Sequence, residues 1–293
     1  MRSAETTGMW LGFLGVLAFG ITLPMTRLAV GPVEDPQLDP TFVMAGRAAI
    51  AGLLSVFYLL LSGVRLPQRH HWRPLLISAV GTVLGFPLFL SLALRHVASI
   101  HAAVITGILP LVSAIAGAIY FRQRPSSSFW SCAVLGCALV VVYAFLRGGG
   151  QLGWADWLLL CAIISASIGY AAGVDIARDT PAPVVICWVL VLSLPFTTPV
   201  ALATLPSHPI RWQAWGGLAY VSLFSMWIGF FAWYRGLAMG GMVRVSQIQL
   251  LQPFIAMIAA IPLVGERIDW LTLVFALAVL LTVFMGRRMP IDT

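Results

Sequence analysis

Eight side chains within otherwise apolar stretches could bind a small solute without covalent chemistry. They are polar or aromatic, and comprise Thr22, His101, Gln247, Gln249, Phe86, Tyr170, Trp227 and Phe231. Small-molecule sites combine a few placed polar groups with an apolar lining. Here the polar groups could hold the charged ends of a zwitterion, and the aromatic rings could cover an apolar body. The chemistry expected from these residues is recognition of a small amphipathic solute.

The sequence contains no arrangement typical of an enzyme or a metal centre. His101 with scattered serines supplies no nucleophile and base pair, and no HExxH segment occurs. The cysteines fall inside apolar stretches without CxxC spacing, which favours a packing role. They are Cys132, Cys137, Cys161 and Cys187. We therefore expect no enzyme activity, no metal and no cofactor.

Composition places the chain in a membrane. Of its 293 residues 60% are hydrophobic and 9% charged, with a mean hydropathy of +0.96, whereas soluble proteins average roughly 45–50% apolar and about 25% charged. A bilayer core of about 30 Å requires about 20 helical residues per crossing. We therefore predict an all-α integral membrane protein with ten transmembrane helices. The ten apolar runs are 9–29, 41–62, 74–94, 98–121, 127–146, 154–174, 182–204, 213–234, 243–264 and 270–286.

The positive charge of the chain reports its orientation. A formal net charge of +7 would indicate nucleic-acid binding in a soluble protein, but these arginines lie mainly at the ends of the apolar runs. Cytoplasmic loops of membrane proteins are enriched in basic residues. With the N-terminus inside, eleven arginines lie at inner ends and four at outer ends. This distribution predicts that both termini are cytoplasmic and that nucleic acid is not a partner.

The sequence indicates an internal duplication. Pro110 and Pro253 lie 143 residues apart, and each is followed at the same distance by a terminal arginine. Five helices per unit is an odd number, so the second unit must enter the membrane from the opposite side. We predict two inverted five-helix repeats around a central cavity, a common transporter architecture. The repeats are predicted to be 1–147 and 154–293, joined by a Gly-rich linker, 148–153.

Three prolines predict bends in these helices: Pro24, Pro110 and Pro253. A proline inside a helix removes a hydrogen bond, which neighbouring polar groups or a water-lined cavity must replace in a membrane. A kink used only for packing and a gate are both compatible with the sequence.

Arg47 lies about two turns inside the second apolar run. A charge at this depth is costly unless it pairs, reaches the interface or faces a cavity. One interpretation is a structural charge paired with Glu34, Asp35 or Asp39. The other is attraction of a carboxylate substrate.

An aromatic stripe runs along the eighth apolar run. Tyr220, Phe224, Trp227 and Phe231 follow i, i+4, i+7, i+11 spacing and therefore share one helical face. Packing or lipid contact is the alternative to stacking against a solute.

Amides cluster in the ninth run. Gln249 and Gln252 lie on one helical face, with Gln247 to the side. Buried amides need hydrogen-bond partners, and bonds between helices or a polar translocation path would both supply them.

Short motifs, in this order, resemble the EamA-type ten-helix members of the drug/metabolite transporter superfamily over nearly the whole chain. Residues 19–22 are similar to the first-helix motif, with Phe19 in place of the usual tryptophan, and residues 46–51 match the second-helix arginine motif. Residues 265–268, Gly-Glu-Arg-Ile, match the signature that closes each repeat, and prolines precede it in both repeats. The first repeat departs from that signature, with Arg-Gln-Arg-Pro at 122–125.

The resemblance implies export of small metabolites across the bacterial inner membrane, through a cavity formed by helices 1, 3, 4, 6, 8 and 9. The overall pattern is most similar to the aromatic amino-acid exporters. Glu266 is expected to contact Arg267 or a neighbour at a helix end, so that both are structural charges. The expected partners are a small-molecule substrate and the bilayer, and the expected state is a monomer.

The acidic residues constrain energy coupling. Proton-driven carriers usually place an Asp or Glu within the bilayer, whereas here His101 is the one titratable group expected at depth. We therefore predict alternating access with facilitated diffusion. The alternative is a proton-coupled exporter of drugs or other small metabolites from the same superfamily.

Overall fold

The computed structural model describes residues 2–64, 66–122, 124–147, 149–177, 180–240, 248–287 and 291–292. Within this part of the chain, each of the ten predicted runs coincides with an apolar helical segment, which confirms the predicted fold class. Eight segments have 21 to 28 residues and two are shorter. We number them spans 1 to 10: Thr6–Val30, Pro40–Leu61, Arg69–His96, Ser99–Tyr120, Ser127–Arg147, Trp154–Ile176, Pro183–Ala203, Trp212–Trp233, Gln249–Val264 and Trp270–Met285.

Spans 2, 5, 6, 7 and 10 are continuous α-helices, and the other five are interrupted. The continuous helices are Pro40–Leu61, Ser127–Arg147, Trp154–Ile176, Ala182–Ala203 and Trp270–Arg287. Span 1 consists of Arg2–Gly20 and Thr22–Val30, and span 4 of Ser99–Thr106 and Leu109–Tyr120. Span 3 consists of the 3₁₀ turn Arg69–His71, the α-helix Trp72–Ser78, the π-helix Ala79–Gly85 and the α-helix Phe86–His96. Span 8 consists of Trp212–Tyr220, the π-helix Val221–Ile228 and Gly229–Gly240, and span 9 of the 3₁₀ turn Gln249–Leu251 and Gln252–Val264.

The packing scheme has the symmetry expected of two inverted repeats. Span 1 packs on span 8 and span 6 on span 3, while spans 2 and 7, 4 and 9, and 5 and 10 pack on each other. Exchanging each span n with span n+5 leaves this set of pairs unchanged. Every one of these pairs therefore joins one repeat to the other, and the core lies at their interface.

Three of the five interrupted spans break beside the prolines identified in the sequence. Span 1 breaks at Ile21, and Pro24 is the third residue of the helix that follows, whereas Pro110 and Pro253 are each the second residue of the helix that follows their break. Proline suits the first turn of a helix because the N–H it lacks would have no intrahelical partner there. The predicted bends are present. Their role in gating stays a prediction.

Glycines allow the backbones of opposite repeats to touch. A Cβ atom on Gly81 of span 3 would lie 2.5 Å from the carbonyl oxygen of Ser165 in span 6, and one on Gly236 would lie 2.5 Å from the backbone nitrogen of Gly12 in span 1. Small residues permit such close packing in membranes, where helices gain little from the hydrophobic effect.

Both described ends of the chain lie on the same face, because ten spans is an even number. A short antiparallel pairing of Arg124–Pro125 with Ile291–Asp292 joins the loop after span 4 to the C-terminal segment on this terminal face. The loop between spans 1 and 2 lies on the opposite face, which we call the rim face. The boundaries of the predicted repeats and linker stay predictions, and Gly148 of that linker lies outside the described residues.

Candidate functional site

A central cavity lies where seven spans of the two repeats meet. The space open to the centre of a water molecule is about 40 Å³, which is enough for a few waters. Spans 1, 3, 4, 6, 8 and 9 contribute to it as the family resemblance implies, and span 2 contributes as well through Arg47. The lining residues are Phe19, Thr22, Leu23, Arg47, Thr82, Phe86, Pro87, Leu109, Tyr170, Ser225, Met226, Phe230, Gln249 and Gln252.

A smaller cavity of about 20 Å³ adjoins the central one and shares four lining residues with it, among them Gln249 and Gln252. Pro110 and Pro253 both line it. The interrupted helices of spans 4 and 9 therefore face each other here, across the pseudo-two-fold axis that relates the repeats.

Arg47 carries the positive charge of the central cavity. Its side chain is only 2% exposed, and Nη2 donates a hydrogen bond of 2.9 Å to the hydroxyl of Ser225. The hydroxyl of Thr22 donates to the same Ser225 oxygen at 2.8 Å. The expected pairing of Arg47 with Glu34, Asp35 or Asp39 is not found among the described contacts, because the guanidinium points away from the loop and into the cavity.

Thr82 and Ser225 occupy matching places in the two repeats. They lie 143 residues apart, the same interval that separates Pro110 from Pro253. Each lies in a π-helix, Ala79–Gly85 or Val221–Ile228, and both line the central cavity. Short π-helical segments are rare and occur frequently at functional sites. The repeat thus places a small hydroxyl side chain on each side of the cavity.

The structure brings together half of the residues that the sequence predicted to bind substrate. Thr22, Phe86, Tyr170 and Gln249 line the central cavity. Gln247 lies outside the described residues.

Sequence reasoning missed several other lining residues. They are Phe19, Thr82, Ser225 and Phe230, whereas Gln252, which also lines the cavity, belongs to the amide cluster for which the sequence analysis considered a polar path. The 143-residue interval could have identified Thr82 and Ser225 as a pair, whereas nothing in the spacing of span 8 distinguished Phe230 from Phe231.

Trp227 and Phe231 were predicted to line the cavity and are placed elsewhere. Their rings contact each other with centroids 5.0 Å apart, and Phe231 also contacts Tyr58 of span 2 at 5.0 Å. The π-helix Val221–Ile228 explains the difference, since its wider turn rotates the side chains that follow it and ends the i, i+4, i+7, i+11 stripe. Phe230 faces the cavity instead.

His101 was also predicted to line the central cavity, and the structure places it at the rim face. Span 4 begins at Ser99, so His101 lies in its first turn rather than at depth. Its Nε2 atom lies 2.7 Å from Oδ1 of Asp156 in span 6, and its ring stacks on Tyr143 with centroids 5.2 Å apart. These residues line a separate rim cavity of about 410 Å³.

Glu266 stabilises a helix of the opposite repeat. Gly265 ends the helix Gln252–Val264 in the left-handed conformation, with φ 70°, and this turn directs Glu266 toward span 4. There its carboxylate accepts hydrogen bonds from the backbone N–H groups of Ser99 and Ile100, both 2.7 Å, and from the Ser99 hydroxyl at 3.0 Å. A carboxylate at a helix N-terminus satisfies unpaired N–H groups and complements the helix dipole. Glu266 was expected to contact Arg267 or a neighbour at a helix end, and its partners are Ser99 and Ile100 at the start of span 4.

A second ion pair, between Arg147 and Asp269, lines the rim cavity. Arg147 of span 5 donates to the carboxylate of Asp269, and Asp269 also accepts a 2.7 Å hydrogen bond from the backbone N–H of Thr272 at the start of span 10. That backbone bond, with the Arg147 guanidinium, lowers the pKa of Asp269 below its usual value. Arg267 is exposed and lines the same cavity.

Comparison with known proteins identifies the family. The EamA-like transporter family matches the chain twice, over residues 6–145 and 153–286. The chain is similar to the uncharacterized transporter YdeK of Bacillus subtilis (strain 168), at 42% identity over 97% of this chain and 98% of that protein. It is 23% identical to the uncharacterized transporter YyaM of the same strain, over 94% and 92% of the two chains. A solved crystal structure shares the fold with a TM-score of 0.62 at 16% identity, over 96% of both chains. The family model matches both halves of the chain, and both halves line the central cavity. The chain therefore belongs to the EamA-like transporter family.

Proposed function

We propose that the chain exports hydrophobic amino acids, aromatic ones foremost, across the bacterial inner membrane through the central cavity. The supporting observation is the composition of its lining. Thr22, Ser225 and Gln249 offer polar contacts, and the rings of Phe19 and Phe230, with centroids 5.0 Å apart, form an aromatic wall. A solute with a polar end and an apolar body fits such a lining.

Alternating access by rocking of the repeats suits this architecture. The cavity lies between the repeats, and five of the seven spans that line it, namely 1, 3, 4, 8 and 9, are interrupted. Breaks beside Pro24, Pro110 and Pro253 allow each half-helix to tilt separately. The cavity would then open to one face of the membrane at a time.

Facilitated diffusion is the proposed driving mode. The described lining of the central cavity includes no Asp, Glu or His, so no side chain there is suited to carry a proton with the substrate near neutral pH. The substrate gradient then supplies the free energy.

Proton-coupled export is the second candidate, and the His101–Asp156 pair favours it. The pair joins spans 4 and 6 of different repeats at 2.7 Å, and this contact must part if the two spans separate. The experiment that discriminates is counterflow in proteoliposomes with and without a pH gradient. Counterflow that strictly requires the gradient rejects facilitated diffusion.

Counterflow of labelled amino acids tests the substrate assignment. We expect saturable counterflow of phenylalanine, tyrosine and tryptophan, and much weaker counterflow of aspartate or lysine. Phe86→Ala and Trp227→Ala form a matched pair, because Phe86 lines the cavity and Trp227 does not. Phe86→Ala should raise KM for aromatic substrates, while Trp227→Ala should leave KM unchanged. Equal counterflow of all amino acids, or none, rejects the assignment.

The proposal also places both termini in the cytoplasm and takes the monomer as the transporting unit. A reporter fused to the C-terminus that is active only in the cytoplasm tests the orientation. Reconstitution at one protein per liposome tests the monomer. Loss of counterflow at that dilution would show that a larger assembly is required.

A further inference from the structure

The guanidinium of Arg47 is buried with most of its hydrogen-bonding capacity unused. It carries five N–H donors, and the described contacts account for one, from Nη2 to Ser225. The Nε and Nη1 atoms are buried and have no hydrogen-bond partner among the described residues. Leaving buried donors unpaired costs about 1–3 kcal/mol each, and more for a charged group.

Among the described residues, Arg47 also has no counter-ion. The side-chain ion pairs found in the described part of the chain join His101 to Asp156, Arg147 to Asp269 and Arg211 to Asp35, all toward the rim face. Charged residues within the bilayer are rare, almost always face the bundle interior or a water-filled cavity, and mark substrate or ion pathways.

The central cavity therefore holds one positive charge and, among its described lining residues, no negative one. A ligand with a single negative charge would balance it, whereas a cation would be repelled. A doubly charged phosphate would need a second cation, and the described lining offers only Arg47. The same lining has an apolar part, formed by the rings of Phe19, Phe86 and Phe230.

We propose that Arg47 is the anion anchor of the central cavity, and that the solute it recognises is a monocarboxylate with an apolar body. This inference rests on the proposed transport through that cavity and narrows its substrate class. The carboxylate accepts from the unpaired N–H groups of Arg47, beside the Ser225 and Thr22 hydroxyls, and the apolar body lies against the phenyl rings. A free amino group on the solute is not required, since no described acidic side chain lines the cavity to receive it.

A ligand series on the purified wild-type protein tests the anchor. L-Phenylalanine, 3-phenylpropanoate, L-phenylalaninamide and 2-phenylethylamine share a phenyl body and differ in the carboxylate and amine. We expect both carboxylates to bind saturably and the amide and amine to bind at least tenfold more weakly, as measured by ligand-induced thermal stabilisation and direct binding. Equal binding of the amide or amine overturns the inference. So does the absence of saturable binding across carboxylates from acetate to 3-phenylpropanoate.

Variants assign the preference to Arg47. Arg47→Gln should weaken carboxylate binding at least tenfold, equivalent to about 1.4 kcal/mol, and should remove the difference between carboxylate and amide. Arg47→Lys should recover part of it, because lysine keeps the charge but not the planar fork. Arg95→Gln is the matched control, since Arg95 donates to the carbonyls of Val30 and Leu38 at the rim face, and should keep the preference. Should Arg47→Gln fail to fold, Arg47→Lys and the wild-type series decide.

The outcomes separate this inference from the proposed function. Amino-acid counterflow that is the same in wild type and Arg47→Gln keeps the transport function and rejects the anchor. Arg47-dependent binding of 3-phenylpropanoate, without counterflow of any amino acid, keeps the anchor and rejects the amino-acid assignment.

Discussion

Ser225 Oγ lies 2.9 Å from Arg47 Nη2 and joins span 8 of one repeat to span 2 of the other. This is the one hydrogen bond that the described residues offer the buried guanidinium. Because Thr22 donates to the same oxygen, the contact ties three spans around the cavity.

Removing the Ser225 hydroxyl should destabilise the protein and weaken substrate binding. Ser225→Ala leaves a further N–H of Arg47 unpaired, at a cost of about 1–3 kcal/mol in the free energy of unfolding. Ser222→Ala is the control, because Ser222 lies in the same π-helix but bonds to the Leu218 carbonyl at 2.6 Å, away from the cavity. Thermal unfolding and KM are the measurements. Equal effects of the two changes on KM would show that the Arg47 contact has no role in binding.

Breaking the contact between His101 and Asp156 should lower the free energy of unfolding and leave substrate preference unchanged. His101→Ala removes a hydrogen bond to a carboxylate that is 6% exposed, and such bonds contribute about 1.5–3 kcal/mol. Because His101 lines the rim cavity, the ratio of transport rates for phenylalanine and tyrosine should not change. A changed ratio at an unaltered melting temperature would show that His101 contributes to substrate selection.

Loss of the Glu266 carboxylate should destabilise the start of span 4. Glu266→Ala removes three hydrogen bonds to Ser99 and Ile100, and loss of such a helix cap costs about 0.5–2 kcal/mol. Glu34→Ala is the control for loss of an acidic side chain at the same face, because Glu34 is exposed. Amide hydrogen exchange over residues 99–106 should rise in the first variant and not in the second. Unchanged exchange in Glu266→Ala would contradict the capping role.

Adding a methyl group at Gly81 should destabilise the contact between spans 3 and 6. In Gly81→Ala the new Cβ would lie 2.5 Å from the Ser165 carbonyl oxygen and 2.7 Å from Gly169 Cα, and overpacking of this kind costs about 1–3 kcal/mol. Gly117→Ala is the matched change within a helix, since a Cβ there meets nothing within 4 Å. It should stabilise the protein by about 0.8–1.0 kcal/mol through helix propensity. Thermal unfolding of the two variants should therefore move in opposite directions.

Much of the fold follows from local sequence. The ten spans were predictable because a bilayer requires long apolar helices, and the breaks beside Pro24, Pro110 and Pro253 because proline is favoured in the first turn of a helix. Part of the cavity was predictable too, since Thr22, Phe86, Tyr170 and Gln249 line it.

Other residues were misplaced because their position depends on a register that local sequence does not specify. Phe230 rather than Phe231 faces the cavity because the π-helix Val221–Ile228 alters the helical period. That segment packs against spans 1 and 2 of the other repeat. The i, i+4 spacing of side chains in span 8 does not predict a π-helix there.

Hydropathy and the proline interval are properties of the chain alone, so the amino-acid sequence was enough to predict a ten-span membrane protein with a duplicated half. The contacts of its charged residues became known from the three-dimensional fold. Arg47 faces the cavity with no counter-ion in the part of the chain that the structure describes, and Glu266 caps a helix of the other repeat. Such partners come from segments more than 160 residues away, and the free energy of a buried charge is set by which groups the fold brings beside it.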